Sequence, residues 1–246
     1  MKNLATLAIA ALLPALSVAH YHFPHLILNT KVTGAHEYVR PSDNGYMPSW
    51  EDGAFLQNPD IRCNKGSMNH RKEPKTAKIT AGKDIVGFQT NVQAHIQHPG
   101  PLTVYMSKAP GDVRDYDGSG DWFKVFQLGT TPKWNGTDQG WLSWNRYQFR
   151  FQLPAQIPAG QYLMRIEHMA VHQPYRNKEF FLQCAHVEVV SNYNGAAPSP
   201  TIKFPGGYQR SDPAIQLDSW ANPKPSYAPM PGPKMWPNDN NFNVII

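Results

Sequence analysis

Ten histidines are spread through the 246-residue chain, and one of them acquires a chemical role through processing. Lys2 is followed by an apolar run from Leu4 to Leu16, broken only by Thr6 and Pro14. Ser17-Val18-Ala19 then places small residues at the −3 and −1 positions of a cleavage site. Residues 1–19 therefore read as a secretory signal peptide, too short to span a bilayer. Cleavage after Ala19 makes His20 the amino terminus. A terminal histidine offers its α-amine and its ring Nδ1 to one metal ion, closing a small chelate ring. An α-amine, with a pKa of about 7.7–8.0, gives up its proton far more readily than a lysine. One further imidazole completes three nitrogens in a T shape, a donor set that suits copper, which heads the divalent affinity series.

Such a set must be held by a rigid frame, and the chain reads as strand and turn with little helix. Tyr147, Phe149 and Phe151 alternate with Gln148, Arg150 and Gln152, the pattern of a half-buried strand. Similar short runs occur at Ile85–Thr90, Leu102–Met106, Gln161–Glu167 and His186–Val190, separated by Pro/Gly turns such as Pro99-Gly100-Pro101 and Pro158-Ala159-Gly160. This spacing predicts an all-β, immunoglobulin-like or fibronectin-like sandwich with long decorated loops. Three stretches read as large loops: Asn29–Lys78, Ser107–Gly140 and Val171–Glu179. Residues 20–246 are expected to form a single domain, with 191–246 an extended segment that wraps the sandwich through Phe204, Tyr208, Trp220, Tyr227 and Trp236. No repeat and no linker to a carbohydrate-binding module is expected.

Cys63 and Cys184 lie on an oxidising route and read as one long-range disulfide. That closure is worth about 4–5 kcal/mol in the chain-entropy model. Two cysteines exclude thiolate zinc frameworks. Asn135-Gly136-Thr137 is a glycosylation sequon. The net charge of +5 is dispersed among acidic residues, with only Arg71, Lys72 and Lys75 close together, so nucleic-acid binding is not expected. Beyond the leader no apolar run approaches a membrane span.

A collinear series of motifs resembles the fungal lytic polysaccharide monooxygenases of auxiliary activity family 9. It begins with His20-Tyr21-His22-Phe23, Leu26 and Asn29, and continues through Tyr38-Val39-Arg40-Pro41 and Pro59-Asp60-Ile61-Arg62-Cys63. His98-Pro99-Gly100-Pro101, Gly120-Asp121-Trp122-Phe123-Lys124, Pro158 to Arg165, Glu167 and Val171-His172 follow. Phe204-Pro205-Gly206-Gly207-Tyr208, Ser211-Asp212-Pro213 and Tyr227 close the series. The resemblance implies that His20 and His98 brace one copper ion. His95, three residues earlier, competes for the second place, but His98 sits in the turn that the motif requires. His172 is implied as the histidine that hydrogen-bonds oxygen species beside copper, and Tyr21, Tyr208 and Tyr227 are candidates to stack on sugar rings. His22 and His25 read as strand or surface histidines.

The chain departs from the family pattern before its second cysteine. Where the family has Gln-Phe-Tyr-x-x-Cys, this chain reads Glu179-Phe180-Phe181-Leu182-Gln183-Cys184. Phe181 replaces the axial tyrosine, making that face apolar. Glu179 replaces a glutamine; it accepts hydrogen bonds and donates only when protonated. Arg165 and Glu167 either extend this polar network or form a structural ion pair. The implied activity is oxidation of a β-1,4-linked plant polysaccharide, cellulose or an associated hemicellulose, at C1 or C4. It uses one copper ion, dioxygen or hydrogen peroxide and an external electron donor, with a secreted monomer acting at an insoluble surface. The alternative is a non-catalytic copper-binding protein on the same frame. A glycoside hydrolase needs two flanking carboxylates, and Asp112, Asp115, Asp117 and Asp121 offer no such pair.

Overall fold

The computed structural model describes residues 20–51, 53–172, 178–237 and 244–245. The expected signal peptide, 1–19, and part of the Val171–Glu179 loop lie outside them. Two sheets face one another. The first comprises β1 (His25–Leu28), β2 (Lys31–Val32), β5 (Ile85–Gln89), β8 (Gln148–Gln152) and β11 (Val244–Ile245), in the order β11-β8-β5-β1-β2. The second comprises β3 (Ser49–Trp50), β6 (Leu102–Lys108), β7 (Trp122–Leu128), β9 (Gly160–Ala170) and β10 (Glu179–Val190), ordered β3-β10-β9-β6-β7. A further strand, β4 (Ala77–Thr80), runs parallel to β10; the other pairings are antiparallel.

Alternation along β9 and β10 decides where each side chain goes. Tyr162, Met164, Ile166 and Ala170 of β9, with Phe181, Ala185, Val187 and Val189 of β10, face the space between the sheets. There they meet Phe88, Phe149 and Phe151 of the other sheet. The opposite face of the same strands carries Leu163, Met169, Phe180, Leu182 and Cys184, covered by a second apolar cluster from the loops and the chain after β10. Phe204, Tyr208, Ala214 and Ile215 supply that cover.

Two expectations are corrected. The stretch Ser107–Gly140 contains β7, buried on both faces and therefore without the period-2 signature of a half-buried strand. Arg165 and Glu167 do not join the site at Glu179. They lie on the outer face of β9, where the guanidinium donates to the Ile61 and Arg62 carbonyls and to Glu167, while the Tyr208 hydroxyl donates to the Glu167 carboxylate at 2.9 Å. This buried pair fastens the early loop and the post-β10 segment to β9. The Cys63–Cys184 disulfide is formed and ties that same early loop to β10.

Candidate metal centre

Segments far apart in the sequence converge at one end of the sandwich. The chain before β1 carries Tyr21 and Phe23 inward at every second residue, both fully buried, which leaves His20 and His22 on the other face. Phe23 is pinned there by its backbone N–H, which donates to Gln183 Oε1 at 2.9 Å. His98 precedes a turn that pairs with the end of β9: the Val171 N–H donates to the Pro99 carbonyl at 2.8 Å and Met169 N–H to Pro101 at 3.1 Å. That pairing sets His98 beside His172, whose rings are 5.1 Å apart. A Cβ at Gly100 would stand 1.9 Å from the Met169 carbonyl oxygen, so only glycine allows this approach.

Glu179 opens β10, opposite Ala170 on one side and Trp50 on the other. Its Oε2 faces His98 Nε2 at 3.4 Å. One ligand atom each from His20, His98 and Glu179 lie within 4.8 Å of one another. Donors held about 2.0–2.2 Å from a single ion stand at most roughly 4.4 Å apart, so this cluster fits one metal ion after a shift of a few tenths of an ångström. The donor chemistry, two imidazoles and a carboxylate, suits a divalent transition metal. Burial, then the neighbouring His172 and His20, pushes His98 down to about 4, and burial lowers His20 as well. Both are thus neutral, ligand-ready imidazoles at ordinary pH. Burial raises the Glu179 carboxyl, with the Trp50 indole pulling weakly the other way.

The floor beneath these groups is apolar. Phe181, two residues after Glu179 on the same face of β10, lies 5.4 Å from the His98 ring and 6.1 Å from His20. Tyr21 stacks on it at 4.3 Å. The Tyr21 hydroxyl points away, 2.6 Å from His168 Nδ1. Tyr21 is therefore no platform for sugars: it is fully buried, because alternation next to an outward His20 turns it into the core. Tyr208 is corrected in the same way, buried and spent on Glu167 and on Tyr105 at 3.0 Å. Tyr227 is 75% exposed and borders a cleft with Lys124, Gln127 and Met230. His95 is turned toward the Asn145 carbonyl, 2.8 Å away. His25 reaches the Thr33 carbonyl, and His22 stacks on His36. Asn135 is exposed.

Three side chains lie near the site that the sequence did not assign to it; one of them, Trp220, was expected only to wrap the sandwich. Trp50 is 42% exposed with its ring edge-on to His20 at 6.4 Å. Trp220 is 51% exposed, 4.9 Å from the His172 ring, and its indole N–H donates to Asp138 at 3.2 Å. Its loop is tied down where the Ser219 N–H donates to Val171, and where Lys178 Nζ donates to Leu217. His168, fully buried, is the third. A period-2 reading from Ala170 back along β9 places it on the inner face; the tryptophans carry no comparable signal, since a two-residue strand (β3) and a loop show no periodicity.

A two-sheet sandwich that gathers His20, a turn histidine and a strand-end carboxylate at one end offers the donor set of a metalloprotein. The model of auxiliary activity family 9, formerly glycoside hydrolase family 61, matches residues 20–227, and the chain belongs to this family. It is 41% identical over 237 residues to lytic polysaccharide monooxygenase G of Aspergillus tamarii, covering 95% of this chain and 71% of that one. Monooxygenase A of Aspergillus fumigatus is also 41% identical, covering 95% and 82%. Among solved structures, a cellulose-active polysaccharide monooxygenase from M. thermophila superposes with a TM-score of 0.69 at 26% identity, covering 88% of this chain and 99% of that one. The H. jecorina LPMO9A catalytic domain, TM-score 0.73 at 21% identity, shares the fold, with 89% and 91% covered. Members of the family are copper-dependent oxidoreductases that cleave polysaccharides oxidatively.

Proposed function

We propose that the chain, secreted and processed after Ala19, binds one copper ion through the α-amine and Nδ1 of His20 and through His98. It then oxidises a β-1,4-linked plant cell-wall polysaccharide, cellulose or an associated hemicellulose, at C1 or C4. The observation that carries this reading is the approach of His20, His98 and Glu179 donor atoms to within 4.8 Å. The family match beginning at residue 20 supports the processing site. Copper, once reduced by an external donor, supplies the activation of dioxygen or hydrogen peroxide.

The protein's own part is positional. Phe181 and Tyr21 give the site a dry floor, which holds the two imidazoles neutral. His172, half-exposed beside His98, presents a ring able to hydrogen-bond an oxygen co-substrate. Burial, then Lys178, lowers its pKa, so it is neutral and either donates or accepts. Trp50 and Trp220 flank the histidines on the solvent side, and with Tyr227 they are the surfaces on which sugar rings stack. The chain works as a monomer on an insoluble surface, with a glycan at Asn135.

The test is a product assay on processed protein carrying one copper per chain. Cellulose, xylan-coated cellulose and xyloglucan are incubated with ascorbate and peroxide, and the soluble sugars are read by mass spectrometry. Aldonic acids or 4-keto sugars that disappear with His98→Ala are expected and identify the carbon attacked. A copper-loaded protein that releases no oxidised sugar from any of them would leave copper binding without catalysis.

A further inference from the structure

We propose that Glu179 is itself a copper ligand, so that this chain holds the metal with an anionic oxygen in addition to its histidine nitrogens. The inference rests on the reading that His20 and His98 bind copper. Three observations carry it. The backbone of Glu179 is locked on both sides, against Ala170 of β9 and Trp50 of β3, so the carboxylate is built into the sheet rather than hung on a mobile loop. Its side chain is only 12% exposed, and Oε2 stands 3.4 Å from His98 Nε2. Two donors about 2.0–2.2 Å from one ion, at angles between 90° and 120°, stand roughly 2.8–3.8 Å apart, and this pair already does. Finally, Oε2 is buried and accepts no hydrogen bond among the described residues. A desolvated carboxylate oxygen aimed at a ligand nitrogen, with no donor of its own, is what a metal ion would satisfy.

An amide at this position would offer a neutral oxygen. The carboxylate lowers the charge of the Cu(II) complex from +2 to +1 and is a harder donor than imidazole. Hard oxygen ligands favour Cu(II), whereas Cu(I) prefers softer ones. Glu179 should therefore stabilise the oxidised ion selectively. Phe181 reinforces this, since it supplies no competing oxygen from the floor.

The experiment compares processed wild type, Glu179→Gln, Glu179→Asp and His98→Ala. It measures Cu(II) affinity by chelator competition, Cu(I) affinity by a chromogenic Cu(I) chelator, and the Cu(II) EPR spectrum. Copper-free melting curves check that each variant is folded. Loss of a partner that only orients a metal ligand already costs about 10–100-fold in metal affinity, so loss of a ligand should cost no less. Glu179→Gln should lose at least that much for Cu(II), less than threefold for Cu(I), and should show altered copper hyperfine coupling. By the thermodynamic cycle, each tenfold selective loss raises the one-electron potential by about 59 mV. Glu179→Asp, which keeps the charge at shorter reach, should fall between. Equal affinities and superimposable spectra for wild type and Glu179→Gln would overturn the proposal, as would equal losses for both oxidation states. Failure of the parent reading looks different: wild type then takes up no stoichiometric copper, or His98→Ala binds as tightly as wild type.

Discussion

Acid should unfold the copper-free protein through two histidines that touch no metal, and His186 isolates the effect. His186 lies on β10, fully buried, with its Nε2 accepting a hydrogen bond from Arg40 Nε at 2.7 Å. Arg40 is committed in turn to the Val113 and Tyr116 carbonyls at 3.0 and 2.7 Å. Protonating the imidazole would replace an acceptor by a second cation facing the guanidinium. Burial first, and Arg40 second, accordingly hold His186 down to about 3. Its unfolded value is about 6.5, so between these limits the unfolded chain binds more protons and stability rises with pH. The contribution is complete above pH 6.5 and is lost as pH falls. At about 1.4 kcal/mol per unit, going from pH 6.5 to 4.5 removes about 2–3 kcal/mol through this residue. His168, likewise lowered to about 3 by burial and by His98, adds a similar amount. His186→Gln keeps an acceptor for Arg40 but cannot titrate. Chemical denaturation of copper-free wild type and variant at pH 6.5, 5.5 and 4.5 should give curves that converge in stability as pH falls, the variant losing about 2–3 kcal/mol less. Parallel losses in the two proteins would refute the reasoning.

Two further outcomes follow from the site's geometry. Gly100→Ala puts a Cβ on the Met169 carbonyl oxygen, which forces the His98 turn off β9; it should cost about 1–3 kcal/mol of copper-free stability, read by denaturation, and weaken copper binding with it. Trp220→Ala should weaken reductant-free binding to insoluble cellulose by roughly five- to thirtyfold, the loss of about 1–2 kcal/mol typical of an exposed aromatic anchor, while leaving copper affinity unchanged. Unaltered adsorption would remove Trp220 from the substrate face.

What could be read from the sequence was local pattern; what could not was set by partners distant in the chain. That His20, His98 and Glu179 lie together was legible through the family resemblance, which pointed to an expected cleavage site before His20, to the Pro-Gly-Pro turn after His98 and to a motif counted back from Cys184. The strands with one wet face were legible too, through alternation at Tyr147 to Gln152. β7 was not: like β6 it is covered on both sides, but in Trp122-Phe123-Lys124-Val125-Phe126 a buried lysine also interrupts the apolar run. Lys124 escapes the cost of isolation by donating to the Pro231 carbonyl at 2.6 Å, a partner more than a hundred residues away that no local pattern reveals. Two of the three aromatic assignments, Tyr21 and Tyr208, failed for a related reason. A tyrosine's type says that it can stack on a sugar; only its strand face and its hydroxyl's partner say whether it does. Tyr21 and Tyr208 find theirs inside, at His168 and Glu167. Trp50 sits on the two-residue strand β3, whose placement depends on pairing with β10, and Trp220 on a loop anchored at Val171.

The two departures from the family pattern, Glu179 and Phe181, are best understood as one change. They occupy alternate positions on the same face of β10, so both point at the same two histidines. Phe181 takes a hydroxyl away from the floor, and the Tyr21 ring stacked beneath it at 4.3 Å closes that side to water. Glu179 adds a charge at the rim. Had the phenylalanine come alone, a bound divalent ion would face an apolar wall with only nitrogen donors. Had the glutamate come alone, an added anion would share the site with a phenol oxygen. Together they move the protein's oxygen donor from the floor to the strand end, where the sheet holds it at ligand distance from His98. A double-mutant cycle between Glu179→Gln and Phe181→Tyr tests this coupling directly. If the two residues act as a unit, the double variant should recover Cu(II) affinity lost by Glu179→Gln alone; strict additivity of the two effects would show that each departure acts separately.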